Sequence, residues 1–304
     1  MTRIIGILNV TRDSFSDGGR YLEPEDALRR ARQLLADGAD IIDIGAESSH
    51  PDAEDVSADE EIARLTPVIE ALLKQRRAAA SRDDSARFLL SVDSYKPEVM
   101  RHVLSLGVDL INDITGFRNT DAVAALRESP ARLIVMHSRS PAARAPRDSS
   151  TSPGATRSAP DDRSASAAAA HSREVVDAIL SFFRSRVPEI VEAGIARERL
   201  ILDPGMGFFL SSAPEPSLAV LANLSSLTAL GLPVCISTSR KSFIGAVLGT
   251  RADPRPTDQR AAGTLATELY AVQQGATYLR THDVRALRDA LRVLEAICGH
   301  ERPI

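Results

Sequence analysis

Eight short apolar runs, each followed by an amphipathic stretch, constrain this chain more than any other feature. The runs are RIIGILN (Arg3–Asn9), DIIDIG (Asp40–Gly45), FLLSVD (Phe88–Asp93), DLINDI (Asp109–Ile114), RLIVMH (Arg132–His137), RLILD (Arg199–Asp203), PVCIST (Pro233–Thr238) and TYLRT (Thr277–Thr281). Each is too short for a surface helix and too uniformly apolar for a strand with one wet face. Each therefore reads as a strand of a parallel sheet, buried on both sides. Between them lie windows such as EDALRRARQLLADG, apolar at helical spacing and stopped by Gly38. Eight strand–helix pairs in 304 residues fit a single-domain α/β fold, the (β/α)8 TIM barrel, over residues 1–304. A doubly wound open sheet would share the alternation, but no GxGxxG follows the first strand.

One segment breaks the pattern. Residues 139–170 are rich in Ser, Ala, Pro and Arg and nearly free of large apolar side chains, so they cannot bury a core face. They read as a disordered insert enlarging the loop after the fifth strand. Elsewhere the composition is globular, with 43% hydrophobic and 26% charged residues. A formal net charge of −4 gives no reason to expect nucleic acid or a membrane surface as partner. Two cysteines without metal spacing point to a reducing cytoplasm, and no run of about 18 apolar residues reads as a membrane span. The opening MTRIIGILNV reads as a first core strand rather than a signal peptide.

In a TIM barrel the chemistry sits at the C-terminal ends of the strands. Those ends are polar here: Asn9; Gly45 and Glu47; Asp93; Asn112 and Asp113; Met136 and His137; Asp203; Ser237 with Lys241; Arg280 with His282. A single acidic or amide residue after a strand is an ordinary helix cap, but a whole ring of them describes a polar cup. Asp93, Asn112 and Asp203 suit a planar ring carrying N–H groups and a carbonyl. Lys241, Arg280 and His282 suit an anion, and Asn9 and Asp17 could meet a hard cation through oxygen.

ILNVTRDSFSDGG, DIGAESSHPDA, SVDSYKPEV, INDITGF, VMHS, LDPGMGF, STSRKSFIG and RTHD occur in this order, one per strand. The chain thereby resembles dihydropteroate synthases from Ile4 to about Ile297, the insert excepted. The resemblance implies condensation of 6-hydroxymethyl-7,8-dihydropterin diphosphate with 4-aminobenzoate to 7,8-dihydropteroate and diphosphate, by a homodimer packed through its last helices. It assigns the pterin to Asp93, Asn112, Met136, Asp203 and Lys241, and the diphosphate to Asn9, Arg280 and His282. Mg2+ is assigned to Asn9 and Asp17, and 4-aminobenzoate to Phe15, Ser49, Pro51, Phe208 and Ser242. Catalysis would rest on Lys241, Arg280, His282 and Asp93. A methyltetrahydrofolate–corrinoid methyltransferase would share the ring readers but has no use for STSRKS or RTHD; a non-catalytic pterin-binding homologue is the other alternative.

Three places depart from the usual family text. Arg12 replaces a Pro, SSHPDA replaces STRPG so that His50 stands for an Arg, and the sixth loop reads DPGMGFFLSSAPEPSL. If Ser217-Leu218 matches the usual Asn-Leu, that loop is longer, and Leu210 stands where a Lys is expected. These departures resemble the mobile, sulfonamide-insensitive synthases and nominate Phe209 for drug discrimination.

Overall fold

A computed structural model describes residues 2–11, 24–47, 55–80, 88–139, 165–211 and 213–299. Strand β1 (Arg3–Asn9) leads to α1 (Pro24–Ala36), β2 (Ile41–Gly45), α2 (Ala58–Ala80), β3 (Leu89–Asp93), α3 (Pro97–Leu106), β4 (Leu110–Asp113) and α4 (Thr120–Arg127). Then come β5 (Arg132–Met136), α5 (Ala165–Glu192), β6 (Leu200–Asp203), α6 (Pro214–Ala222), α7 (Leu224–Thr228), β7 (Cys235–Ile236), α8 (Ser242–Leu248), α9 (Ala261–Gln273), β8 (Tyr278–Thr281) and α10 (Val284–Cys298). All eight predicted strands form. Their ends lie within about one residue of the sequence reading, except for β7, which is shorter than Pro233–Thr238. Of the segment read as an insert, 140–164 lies outside the described residues, and from Ala165 the chain is already in α5.

The strands pair in parallel in the order β6-β5-β4-β3-β2-β1-β8-β7. A parallel bridge from Leu202 to Val234 joins β6 to the run into β7 and closes the ring. Period-2 alternation then sorts the side chains. Outward-facing Ile4, Ile42, Leu90, Ile111, Val135 and Leu279 belong to the main core beneath the helices. Helix α1 contributes to it Ala27, Leu28, Ala31 and Leu34, one face at helical spacing. The inward-facing set is a separate plug: Ile5, Ile41, Leu110, Ile134, Ile201, Cys235 and Tyr278, with Leu89 packed against it, one residue from each strand. Among the described residues, no helix is long and apolar enough to cross a membrane.

The plug has no helix to rearrange around it, so a void made there stays open. Ile134→Ala is expected to cost about 2–5 kcal/mol in urea denaturation. A loss below about 1 kcal/mol would mean that the lumen collapses onto the gap.

Candidate active site

Two residues beyond the plug, on the same inward face, stand Asp43, Ser91, Asn112, Met136, Asp203, Ser237 and Arg280. A polar layer therefore lies directly on an apolar one, and Asp93 follows Ser91 at the next inward position of β3. Arg280 Nε donates to Asp43 Oδ2 at 2.6 Å and its Nη2 donates to Asp93 Oδ2 at 2.8 Å, so one guanidinium spans two strands' carboxylates. Asp43 has no exposed surface. Burial pushes the Asp93 carboxyl up to about 7; Arg280 pulls it back and the like charge of Asp43 adds to the rise. Burial also raises Asp203, against the pull of the Gly205 N–H and Lys241. Lys241 falls to about 8 because it is buried, partly offset by Asp203. Buried atoms left without a hydrogen-bond partner include Asn112 Oδ1, Asp43 Oδ1, Ser91 Oγ and Ser242 Oγ. Native interiors rarely leave such groups unpaired, and a polar ligand in the mouth is what would pair those that face it.

The turn after β7 aims Lys241. Arg240 holds a left-handed backbone (φ 59°), which costs a non-glycine residue about 1–2 kcal/mol. Its N–H donates to Thr264 Oγ1 at 3.0 Å and its carbonyl accepts from Arg260 Nη1 at 2.9 Å. Next in the chain, Lys241 places Nζ 4.8 Å from the Phe209 ring centroid. Ser242 opens α8. The loop carrying Phe209 is folded tightly: at Gly205, φ 70°, an added Cβ would lie 2.3 Å from the His137 carbonyl oxygen. The Gly207 N–H donates to the buried Ser217 Oγ at 2.9 Å. Phe208 is 53% exposed at this rim, and Leu210 is buried in the main core.

On β8's extension, His282 has its Nδ1 3.0 Å from Ser239 Oγ, and its N–H donates to the same hydroxyl at 3.1 Å. Burial lowers the imidazole to about 3, helped by Arg240, Arg280, Lys241 and Arg30. His282 is thus a neutral ring among cations, a setting in which an anion is favoured. Asn9 ends β1 at the open mouth. A Cβ on Gly45 would lie 3.6 Å from Asp93 Cβ and 3.9 Å from Asn9 Oδ1, so Asn9 and Asp93 flank that glycine.

Strand parity separates these residues from their chain neighbours. Asp113 turns away from the lumen and braces its own loop, accepting from the Thr115 N–H at 2.7 Å and the Phe117 N–H at 2.8 Å. His137 packs edge-on against Phe182 of α5 at 5.2 Å. Glu47 engages Lys96, which also bonds buried Glu61 at 2.7 Å. Phe15, Asp17, Ser49 and Pro51 lie outside the described residues, as do Arg12 and His50. The described members Asn9, Asp93, Asn112, Met136, Asp203, Lys241, Ser242, Arg280 and His282 gather at one end of the barrel, with Phe208 and Phe209 at its rim. Missed from the sequence were Asp43 and Ser239; a charged residue inside the apolar run IIDIG was the available signal for the first.

The geometry defines a class first: a TIM barrel whose lumen carries unpaired hydrogen-bonding groups beside cationic side chains. Residues 5–282 match the family described as pterin binding enzyme. The chain is 43% identical over 298 residues to Dihydropteroate synthase type-3 of Escherichia coli, covering 98% of this chain and 100% of that one. To Dihydropteroate synthase type-2 of the same organism it is 44% identical over 295 residues, 97% of this chain and 95% of that one. The structure of the Xanthomonas albilineans dihydropteroate synthase with 4-aminobenzoic acid superposes with a TM-score of 0.79 at 36% identity, covering 98% of this chain and 93% of that one. The chain belongs to the pterin-binding enzymes and, among them, to the dihydropteroate synthases, which are transferases.

Removing Arg280 would leave the buried Asp43 and the partly buried Asp93 uncompensated. Arg280→Met is expected to cost about 3–5 kcal/mol at pH 8 and distinctly less at pH 5.5. The sign follows from proton linkage. Without the cation the Asp93 carboxyl, already raised by burial, rises further, so the folded variant keeps a proton that the unfolded chain has lost, and its stability falls as pH rises. Urea denaturation at the two pH values checks this; an equal loss at both would contradict it.

Proposed function

We propose that this chain condenses 6-hydroxymethyl-7,8-dihydropterin diphosphate with 4-aminobenzoate. The observation that carries the reading is that two half-sites adjoin at one end of the barrel, joined by the ion pair of Arg280 with Asp93. Asp93, Asp203 and the unpartnered Asn112 Oδ1 supply a ring reader, and Arg280, Lys241 and neutral His282 supply an anion site beside it. The C–O bond at the pterin methylene breaks and diphosphate leaves with the electron pair. The arylamine nitrogen then forms the C–N bond and releases its proton. Such a path requires stabilised leaving-group charge and a fixed amine pose more than a strong base. Arg280 and Lys241 meet the developing negative charge, and His282 donates an N–H to it. Met136 closes the floor of the pterin pocket. Mg2+, when bound, neutralises charge on the diphosphate. A small hard cation keeps most of its waters and takes few protein ligands, which fits the single amide oxygen of Asn9 at the open mouth, with Asp17 proposed to join it.

Purified protein given both substrates should release diphosphate and form 7,8-dihydropteroate. Lys241→Ala should lower kcat/KM at least about 100-fold while keeping the wild-type melting temperature, because Lys241 belongs to the mouth and not to the plug. No turnover by the wild type would return the chain to the non-catalytic reading.

We further infer that the enzyme discriminates against sulfonamides. These drugs copy 4-aminobenzoate but carry a substituent beyond the position of its carboxylate, so bulk placed there excludes the drug and spares the substrate. The substrate is proposed to lie among Phe15, Ser49, Pro51, Phe208 and Ser242. Phe209 is proposed as the wedge, in keeping with its position against Lys241. Leu210 is a core residue, so the informative variant is Phe209→Gly alone. Phe209→Gly is expected to tighten sulfonamide inhibition about tenfold or more and to change the KM for 4-aminobenzoate less than about threefold. A wild type as drug-sensitive as the variant would contradict the inference.

A homodimer in a reducing cytoplasm completes the proposal. Exposed Val247, Leu248, Tyr270, Val293 and Ile297 on α8, α9 and α10 offer apolar surface for the dimer.

A further inference from the structure

The turn that presents Lys241 also carries Ser239, which is buried and lies between two residues tied to α9. The Thr238 and Thr267 hydroxyls are hydrogen-bonded at 2.9 Å, and the Arg240 N–H donates to Thr264 Oγ1 at 3.0 Å. Ser239 is therefore held through both chain neighbours, and its hydroxyl meets His282 twice. It accepts the His282 backbone N–H at 3.1 Å, and its oxygen lies 3.0 Å from the ring Nδ1. From α1, Arg30 Nη2 donates to the His282 carbonyl at 2.8 Å. His282 is thus gripped at its N–H, its carbonyl and one ring nitrogen. Its Nε2 has no hydrogen-bond partner among the described residues.

The hydroxyl settles where the ring keeps its proton. A serine has one O–H to give and two lone pairs to offer. One lone pair takes the backbone N–H. If Nδ1 also carried a proton, the oxygen would accept twice, and its own hydrogen would have no acceptor among the described residues, in a site only 6% exposed. If the hydroxyl donates to Nδ1 instead, every polar group at Ser239 is used. Burial, helped by Arg240, Arg280, Lys241 and Arg30, keeps the imidazole uncharged, so a bare Nδ1 leaves the single ring proton on Nε2. For an anion in the mouth that difference decides the sign of the contact. An Nε2–H donates to it, whereas a bare Nε2 turns a lone pair towards negative charge.

We propose that Ser239 is a positioning residue for the condensation: by donating its hydroxyl to His282 Nδ1 it holds the imidazole in one orientation and as the Nε2–H form, an uncharged donor for the diphosphate. This rests on the synthase reading above. One turn then serves the anion twice, with a cation at Lys241 and with the proton placed on His282.

The test is first spectroscopic. Heteronuclear NMR of nitrogen-labelled wild type near neutral pH, with His282→Ala to assign the signals, should show His282 protonated at Nε2 and bare at Nδ1. A proton on Nδ1 would overturn the proposal. In Ser239→Ala the ring is free to turn and to exchange its proton, so its two nitrogen signals should move towards each other; signals that stay put would count against Ser239. Calorimetric affinity for inorganic diphosphate should fall about tenfold in Ser239→Ala, the loss of one well-aimed donor to a charged group. The kcat/KM for the pterin diphosphate should fall with it, and the KM for 4-aminobenzoate should change less than about twofold. An unchanged diphosphate affinity would overturn the proposal. A serine that merely shaped the turn would disturb Lys241 as well, so a double variant separates the two roles. On a His282→Ala background, Ser239→Ala should change diphosphate affinity less than about twofold. A further tenfold loss there would show that Ser239 does not act through His282. Should Ser239→Ala fail to fold, Ser239→Cys, a much weaker donor of similar size, carries the same comparisons. Absence of wild-type turnover would instead sink the synthase reading, while the spectra and the diphosphate titrations, which need no turnover, would still decide on Ser239.

Discussion

A closed ring of eight parallel strands has a lumen only wide enough for side chains, and every second residue of every strand must enter it. Everything functional in this protein depends on how that forced interior is filled. The lower layer is apolar and watertight, built from one residue per strand. The next layer up is polar on nearly every strand. Placing charge directly on a dry plug shields it from solvent, so each group is strengthened as an electrostatic partner and made costly if left unpaired.

The polar layer is therefore organised as a set of mutual compensations with gaps. Arg280 is compensated by Asp43 and Asp93, which fixes the guanidinium between two strands. Burial, with the like charge of Asp43, outweighs the pull of the shared Arg280, so Asp93 holds its proton more tightly than an exposed acid. Around His282 the imbalance is reversed: four cations lie near a neutral imidazole. The unsatisfied Asn112 Oδ1 and the cations around His282 lie at the same end of the barrel. A substrate with a hydrogen-bonding ring and an anionic leaving group fills both gaps at once, which links the architecture to transfer chemistry.

The strands were legible because a run buried on both faces needs no periodicity analysis, only length and composition. Their polar ends were legible because seven apolar runs cannot all close on acidic, amide or basic residues for capping alone. Parity was the hidden variable. Asp113 and His137 are chain neighbours of Asn112 and Met136, yet one step along a strand turns them to the outside. Asp43 was missed for the converse reason: it sits inside a run, and only the register that puts Ile41 in the plug shows that it faces the lumen. The bond from the Arg240 N–H to Thr264 of α9 was beyond local reading, since the two residues are neighbours only in the folded chain. Loops named from family resemblance, holding Phe15, Asp17, Ser49 and Pro51, carry no strand period from which a position could be argued.

The lumen layer is proposed to read a pterin through groups left unpaired in the free protein. Calorimetric binding of 6-hydroxymethylpterin, which carries no diphosphate, to wild type and to Asn112→Leu tests it most directly. Because Asn112 Oδ1 has no partner in the free chain, its removal orphans no other group and should leave the fold intact. The substitution is expected to weaken binding by at least about tenfold, the cost of one lost buried hydrogen bond. Equal affinities in the two proteins would contradict the account.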